Sequence, residues 1–226
     1  MSSTDHIFRE DENGQLTLIG DFEGLYRSEP DPWQQSGKEG PRAGYYAASR
    51  NRLVANVSRL FPAGCTGLEV GCGHGQVTNQ LMLSVGGRWT GADISLTAIE
   101  TARARSKGVS FYPVDITHEP FPFMGSERCR YDVVILSQLL WYVLEKLDAT
   151  LRNAAALVRP GGVLIVSQAF LHEPQRYGRE IADGFDGALS AIRERLPDWS
   201  TIVAMLDDTG QHVHKDGIII MRKPTA

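Results

Sequence analysis

Glu69, Gly71, Gly73 and Gly75 alternate where an apolar run, Gly67-Leu68-Glu69-Val70, gives way to a helical pattern through Val77, Leu81 and Met82. Glycines at a strand-to-helix turn let the backbone pass close to a ligand, and the helix start offers free N–H donors. The spacing separates ligand classes. The dinucleotide fingerprint places its third glycine three residues after its second. Here that position is Gln76, and the third glycine comes earlier, at Gly75. A phosphate-cradling P-loop is also excluded, because no Gly-Lys-Ser/Thr follows. The turn therefore suits a nucleoside-like ligand without a diphosphate. Asp93 ends the next apolar run, and a carboxylate there can accept two hydrogen bonds from a ribose diol. Asp115, in Pro113-Val114-Asp115-Ile116, ends the third run, and its carboxylate can accept a hydrogen bond from an exocyclic adenine amine. The plainer alternative is a tight turn plus two helix-capping aspartates.

These residues need elements that bring them to one edge. Strand and helix patterns alternate from about Thr66: strands over 88–93, 109–114, 131–136 and 163–168, and a helix after Ser95, which can cap it. A further helix over 147–158 ends at the stop-and-turn signal Arg159-Pro160-Gly161-Gly162. Such alternation predicts a parallel sheet with helices on both faces, its ligand crevice at the carboxyl ends of the strands. In the tail, 176–196 reads as a helix, and 202–206 and 217–221 read as strands compatible with an antiparallel pair at the sheet edge. Residues 119–130 read as a loop. Residues 1–62 stand outside the alternation and are assigned to an N-terminal lid or cap, with 63–226 as the binding domain. Within that cap, Asp11-Glu12-Asn13-Gly14 is a turn signal, Pro30 to Pro41 a loop and 45–60 a helix.

Composition narrows the partner. The 226 residues suit one domain. Lys and Arg number 23 against 27 Asp and Glu, a formal net charge of −4. A domain that holds long nucleic acid shows a basic excess, so a small-molecule partner is expected and nucleic acid is not. No apolar run approaches the roughly 18 residues that span a membrane, and residues 1–13 do not read as a secretory leader. Three cysteines, Cys65, Cys72 and Cys129, lack close pairing and suit a reduced, cytoplasmic setting. The protein is expected as a monomer or homodimer.

At these motifs the chain resembles the class I S-adenosylmethionine-dependent methyltransferases. Glu69 to Gly75 resembles their first motif, Asp93 their ribose acid and Asp115-Ile116 their adenine-side motif. Tyr131-Asp132-Val133-Val134 resembles the fourth, and Leu157 to Gly162 the turn before the fifth strand. The resemblance covers about 45–222. It implies an α/β, Rossmann-like fold with a mostly parallel seven-stranded sheet, one antiparallel strand and helices on both faces. It implies S-adenosyl-L-methionine as cofactor, with Gly71, Gly73 and Gly75 near its amino-acid part, Ile94 and Ile116 flanking its adenine, and Glu69 and Ser137 among its contacts. Asp21 to Tyr26, Asp31-Pro32-Trp33 and Tyr46-x-x-x-Arg50 are similar to the lid of NodS-like small-molecule methyltransferases. That similarity implies that Trp33 closes over the cofactor and that Tyr46 and Arg50, four apart on one helical face, hold its carboxylate. Alternatively Trp33 and Tyr46 staple the helix to the core.

The expected activity is methyl transfer to an amino or hydroxyl group of a small molecule such as a sugar or secondary metabolite. The alternative is an RNA or protein methyltransferase with the same cofactor site, but the chain lacks an Asn-Pro-Pro-Tyr type of signature. Transfer from a sulfonium is an in-line displacement, and the enzyme mainly aligns the partners and excludes water. An amine or hydroxyl acceptor sheds a proton, so a base can assist. His172, after the fifth strand, and Tyr142 are the catalytic candidates. Gln138, Trp141, Tyr142, Arg176 and Tyr177 are the candidate substrate contacts. His74 lies inside the glycine loop, where no catalytic role is assigned. His212-x-His214 lacks a third ligand nearby, so no metal site is expected.

Overall fold

A computed structural model of the chain describes residues 6–35, 42–118, 129–210 and 212–225. The first turn signal makes a hairpin. Asp11 Oδ1 accepts from the amides of Asn13 at 2.9 Å and Gln15 at 2.8 Å. Around that turn β1 (Phe8–Glu10) and β2 (Leu16–Leu18) pair antiparallel. Asp21 then caps the short helix α1 (Phe22–Ser28), its side chain accepting from the Gly24 amide at 2.9 Å. The long helix α2 (Ala43–Leu60) follows, burying Tyr45, Ser49, Leu53 and Val57 at a helical repeat. The segment expected as a loop from Pro30 to Pro41 lies partly outside the described residues.

The apolar runs form the sheet. In chain order come β3 (Cys65–Val70), α3 (Gln76–Val85), β4 (Gly87–Asp93), α4 (Leu96–Arg105), β5 (Ser110–Pro113), β6 (Tyr131–Ser137), α5 (Leu147–Leu157), β7 (Val158–Phe170), α6 (Gly184–Arg195), β8 (Ser200–Asp207) and β9 (Lys215–Arg222). The seven strands lie in the order β5-β4-β3-β6-β7-β9-β8. Neighbours from β5 to β7 are parallel, and β9 runs antiparallel to both β7 and β8. This is the expected fold, with one reversed strand. Alternation along β6 shows why both faces are covered. Val134 and Leu136 join the cluster beneath α5 and α6, while Val133 and Ile135 join the one beneath α2 and α3. Ser95 caps α4 through its hydroxyl, which accepts from Ala98 N at 3.1 Å.

Two boundaries differ from expectation. The helix expected over 147–158 ends at Leu157, but β7 begins at Val158, before the Arg159 to Gly162 signal rather than after it at residue 163. Residues 159–162 instead form a bulge within the strand, opposite Asp132 alone. Asp132 holds the bulge by pairing with the Arg159 guanidinium. The helix expected over 176–196 starts only at Gly184. Its first part is a loop held by Gln175, whose side chain donates to the carbonyls of Tyr177 and Ala182 and accepts from Gly184 N. Apart from Cys129 and Arg130, the loop expected over 119–130 lies outside the described residues. Among the described residues, no helix is long and apolar enough to cross a membrane.

Candidate active site

The strand order reverses beside β3, and ligands of open α/β sheets bind at that point, beyond the carboxyl ends of the strands. The chain leaves β3 through Gly71, Gly73 and Gly75, all with positive φ. The loop is tied to β4 by the amides of Gly71 and Cys72, which donate to Ala92 O at 2.8 and 3.0 Å. Gly73 is required on two grounds. Its φ is +51°, and a Cβ there would stand 2.7 Å from the Tyr26 hydroxyl oxygen. Gly73 N donates to Asp93 Oδ2 at 2.8 Å, and Ser95 N donates to Asp93 Oδ1 at 3.0 Å. Burial pushes the Asp93 carboxyl up, and these amide bonds pull it back. Each oxygen keeps a lone pair for a ligand.

Asp115 makes the next contact point. Its Oδ1 accepts from Thr117 N at 2.8 Å and Thr117 Oγ1 at 2.7 Å, and the carboxyl lines the cavity. Beside it both Ile94 and Ile116 line the cavity, Ile94 largely exposed at 51% and Ile116 buried at 4%. Glu69 does not reach the cavity. It lies beneath the loop, accepting from Thr78 and Ser137, and burial lifts its carboxyl to about 7. Ser137 does line the cavity, as do Gly71 and Gly73, whereas Gly75 caps α3 behind them.

The cavity measures about 640 Å³, within the roughly 300–1,000 Å³ usual for ligand pockets. The N-terminal segment closes part of it. Glu23 on α1 accepts from Ser95 Oγ and Thr97 Oγ1, both at 2.7 Å, and these bonds hold its carboxyl down at about 2. Trp33 Nε1 donates to the Tyr26 hydroxyl at 3.0 Å, and both rings line the cavity. Tyr46 lines it too. Arg50 does not: its guanidinium donates to Gln35 O at 3.3 Å, and burial lowers its pKa. His74 is buried with its ring 5.0 Å from that of Tyr26, behind the lining.

Beyond β6 the candidate substrate residues converge, though several are engaged by the protein itself. Gln138 has φ +53°; its Oε1 accepts from Ala169 N at 2.9 Å and its Nε2 donates to the Tyr45 hydroxyl at 3.2 Å. Trp141 Nε1 donates to Ala169 O at 2.8 Å. Tyr142 packs its ring against Phe22 at 5.1 Å and Trp33 at 5.9 Å, and burial raises its hydroxyl pKa further. Arg176 and Tyr177 line the cavity from the loop before α6, not from the helix start expected for them.

The crevice expected at His172 is a second point where the structure differs. His172 is absent from the lining; its Nε2 lies 3.1 Å from His212 O and its Nδ1 3.6 Å from Asp208. Its neighbour Glu173 lines the cavity instead. The sequence reading passed over Arg42, Gln168, His214 and the hairpin residues Phe8, Leu16 and Leu18, which also line it. Because β9 runs backwards, its start carries His214 to the strand ends, a signal latent in the expected antiparallel strand. The hairpin residues carry no comparable local signal. Among the described residues, no group of three or more His, Cys, Asp or Glu is placed to hold a metal ion.

Comparison with known proteins agrees with this geometry. Residues 68–164 match the family model described as "Methyltransferase domain". The hybrid PKS-NRPS synthetase thnA of Trichoderma harzianum is 34% identical over 118 residues, 49% of this chain and 3% of that protein. A ubiquinone biosynthesis O-methyltransferase of Xanthomonas axonopodis pv. citri is 31% identical over 132 residues, 57% of this chain and 53% of that one. The chain thus spans a small part of the first relative and about half of the second. The N-methyltransferase NodS of Bradyrhizobium japonicum, solved with S-adenosyl-L-homocysteine, superposes with a TM-score of 0.67 at 19% identity, covering 90% of this chain and 98% of that one.

Proposed function

We propose that the protein transfers a methyl group from S-adenosylmethionine to an amino or hydroxyl group of a small molecule, a reading supported by the match of residues 68–164 to a methyltransferase-domain family model and by the class I methyltransferase fold of the chain. One observation carries the reading: the glycine loop, Asp93 and Asp115 line one cavity with a lid over it. The residues present fit the cofactor, since Asp93 keeps acceptor capacity toward the cavity and the loop has no room for a side chain at Gly73. Asp93 would accept hydrogen bonds from the ribose hydroxyls and Asp115 one from the adenine amine. Ile94 and Ile116 flank the base. Gly71, Gly73 and Ser137 border the amino-acid part, with Gly75 and Glu69 supporting the loop from behind. Trp33 and Tyr46 close the lid, and Arg50 fixes Gln35 in it.

The bound cofactor supplies an electrophilic methyl carbon. A carbon–nitrogen or carbon–oxygen bond forms as the carbon–sulfur bond breaks, leaving S-adenosylhomocysteine, and the acceptor releases one proton. The chain's own part is to align the acceptor and exclude water. Tyr142 keeps its proton, so it orients rather than abstracts. His172 is not among the residues that line the cavity, so we assign it no proton transfer there. We assign 1–62 as the lid and 63–226 as the domain it covers. The free thiols Cys65, Cys72 and Cys129 suit a reducing, cytoplasmic setting for a biosynthetic enzyme.

A thermal-denaturation series tests the reading. S-adenosylhomocysteine should raise the melting temperature, because a ligand that binds only the folded state stabilises it, and NAD should not. Stabilisation by NAD alone contradicts it.

A further inference from the structure

Resting on that reading, we propose that the acceptor is a largely apolar, aromatic-sized molecule and not a sugar, and that the N-terminal hairpin forms its roof. The same cavity is also lined by residues that the cofactor reading leaves unused, and we take these as a second, acceptor chamber. Leu16 and Leu18 of β2 and Phe8 of β1 line it. Tyr142 and Tyr177 line it too, with the Phe8 ring 5.1 Å from Tyr177 and 6.2 Å from Tyr142. Leu16 and Leu18 are only half-buried, although they point into a cavity rather than over the outer surface. Apolar side chains held open in this way favour an apolar occupant.

Several polar groups around this chamber argue in the same direction, because the protein engages them itself. Arg176 donates to Glu10 Oε1 at 2.7 Å and to Gly14 O at 2.9 Å, which also ties the hairpin down. The Tyr177 hydroxyl donates to Glu145 Oε1 at 3.0 Å. Trp141 Nε1 is taken by Ala169 O and Gln168 Oε1 by Leu140 N. A sugar presents a hydroxyl on nearly every ring carbon, and each buried hydroxyl needs a partner. The groups named above already have theirs, and among the described residues the one buried side-chain polar atom of the lining without a partner is His214 Nδ1. An aromatic amine or phenol presents one polar atom and a flat apolar body, which matches a chamber lined by rings.

The test uses the full chain saturated with S-adenosylhomocysteine and follows tryptophan fluorescence, since Trp33 and Trp141 line the cavity. The probes are 2-naphthol and methyl β-glucoside. Naphthol should bind at least about tenfold more tightly than the glucoside, given the apolar area each buries. Leu18→Asp should weaken naphthol by about tenfold while the affinity for S-adenosylhomocysteine stays within about threefold. Leu16→Asp is the second variant, and retained S-adenosylhomocysteine binding certifies that each variant is folded. Equal binding of the two probes, or naphthol binding indifferent to both substitutions, overturns the inference while leaving the cofactor reading intact. Failure of S-adenosylhomocysteine to bind the unsubstituted chain overturns both.

Discussion

The two halves of the cavity are built by different means. The half that holds Asp93 and Asp115 is made of backbone: strand ends, a glycine loop and amides that donate to a carboxylate. Each of its parts comes from one stretch of chain, a few residues long. The half beneath the hairpin is made of side chains carried in from far apart, as when Arg176 reaches Glu10 or Tyr177 meets Phe8. A backbone-built half needs particular residue types at fixed offsets, and those fix the ligand class. A side-chain-built half needs only the right volume and polarity, so it can change its ligand without disturbing the fold.

That contrast can be broken by substitution. The largest effect should come from Asp93→Ala, which removes the ribose acceptor and unties Gly73 N together. Titration calorimetry should show the S-adenosylhomocysteine affinity falling by on the order of 100-fold, with naphthol binding to the second chamber changed far less. Next comes the latch between lid and domain. Glu23→Gln keeps the shape but loses the charge at the start of α4, and should lower stability by about 1 kcal/mol, discounted because the side chain is a third exposed. In a chain of this length that is about 3 °C in melting temperature.

The same latch carries a pH dependence. Glu23 is held near 2 in the folded chain against an ordinary 4.5. A depressed carboxyl contributes stability above its unfolded value and loses it as pH falls through the folded one. The melting temperatures of the unsubstituted chain and Glu23→Gln should therefore converge as pH falls from about 4.5 towards 2. A smaller effect is expected for Tyr142→Phe. It removes a hydroxyl but keeps the ring that packs on Phe22 and Trp33, so naphthol affinity should move by less than about threefold. Smallest of all, His172→Ala should leave both ligand affinities unchanged, because the ring lies outside the cavity.

The same division explains what the sequence could reveal. The alternation of strands and helices, the antiparallel edge and the coordinated placement of Gly71, Gly73, Asp93 and Asp115 are legible because periodicity and short offsets encode them. His172 was misplaced because a residue just past a strand end can turn either way, and here the His212 carbonyl and Asp208 draw it aside. Arg176 and Tyr177 were put on a helix because their stretch has helical composition; the side chain of Gln175 holds a loop instead. The hairpin's turn was visible at Asp11 to Gly14, but its destination was not. Its position depends on Arg176, 166 residues away from Glu10, and no local pattern records that pairing.

The central claim is that one cavity recognises S-adenosylmethionine through Asp93. Titration calorimetry of the unsubstituted chain with S-adenosylhomocysteine, with Asp93→Ala in parallel, tests it most directly. The account predicts one site per chain, with a dissociation constant on the order of micromolar, strongly weakened in the variant. No measurable binding, or binding that the substitution leaves unchanged, would contradict it.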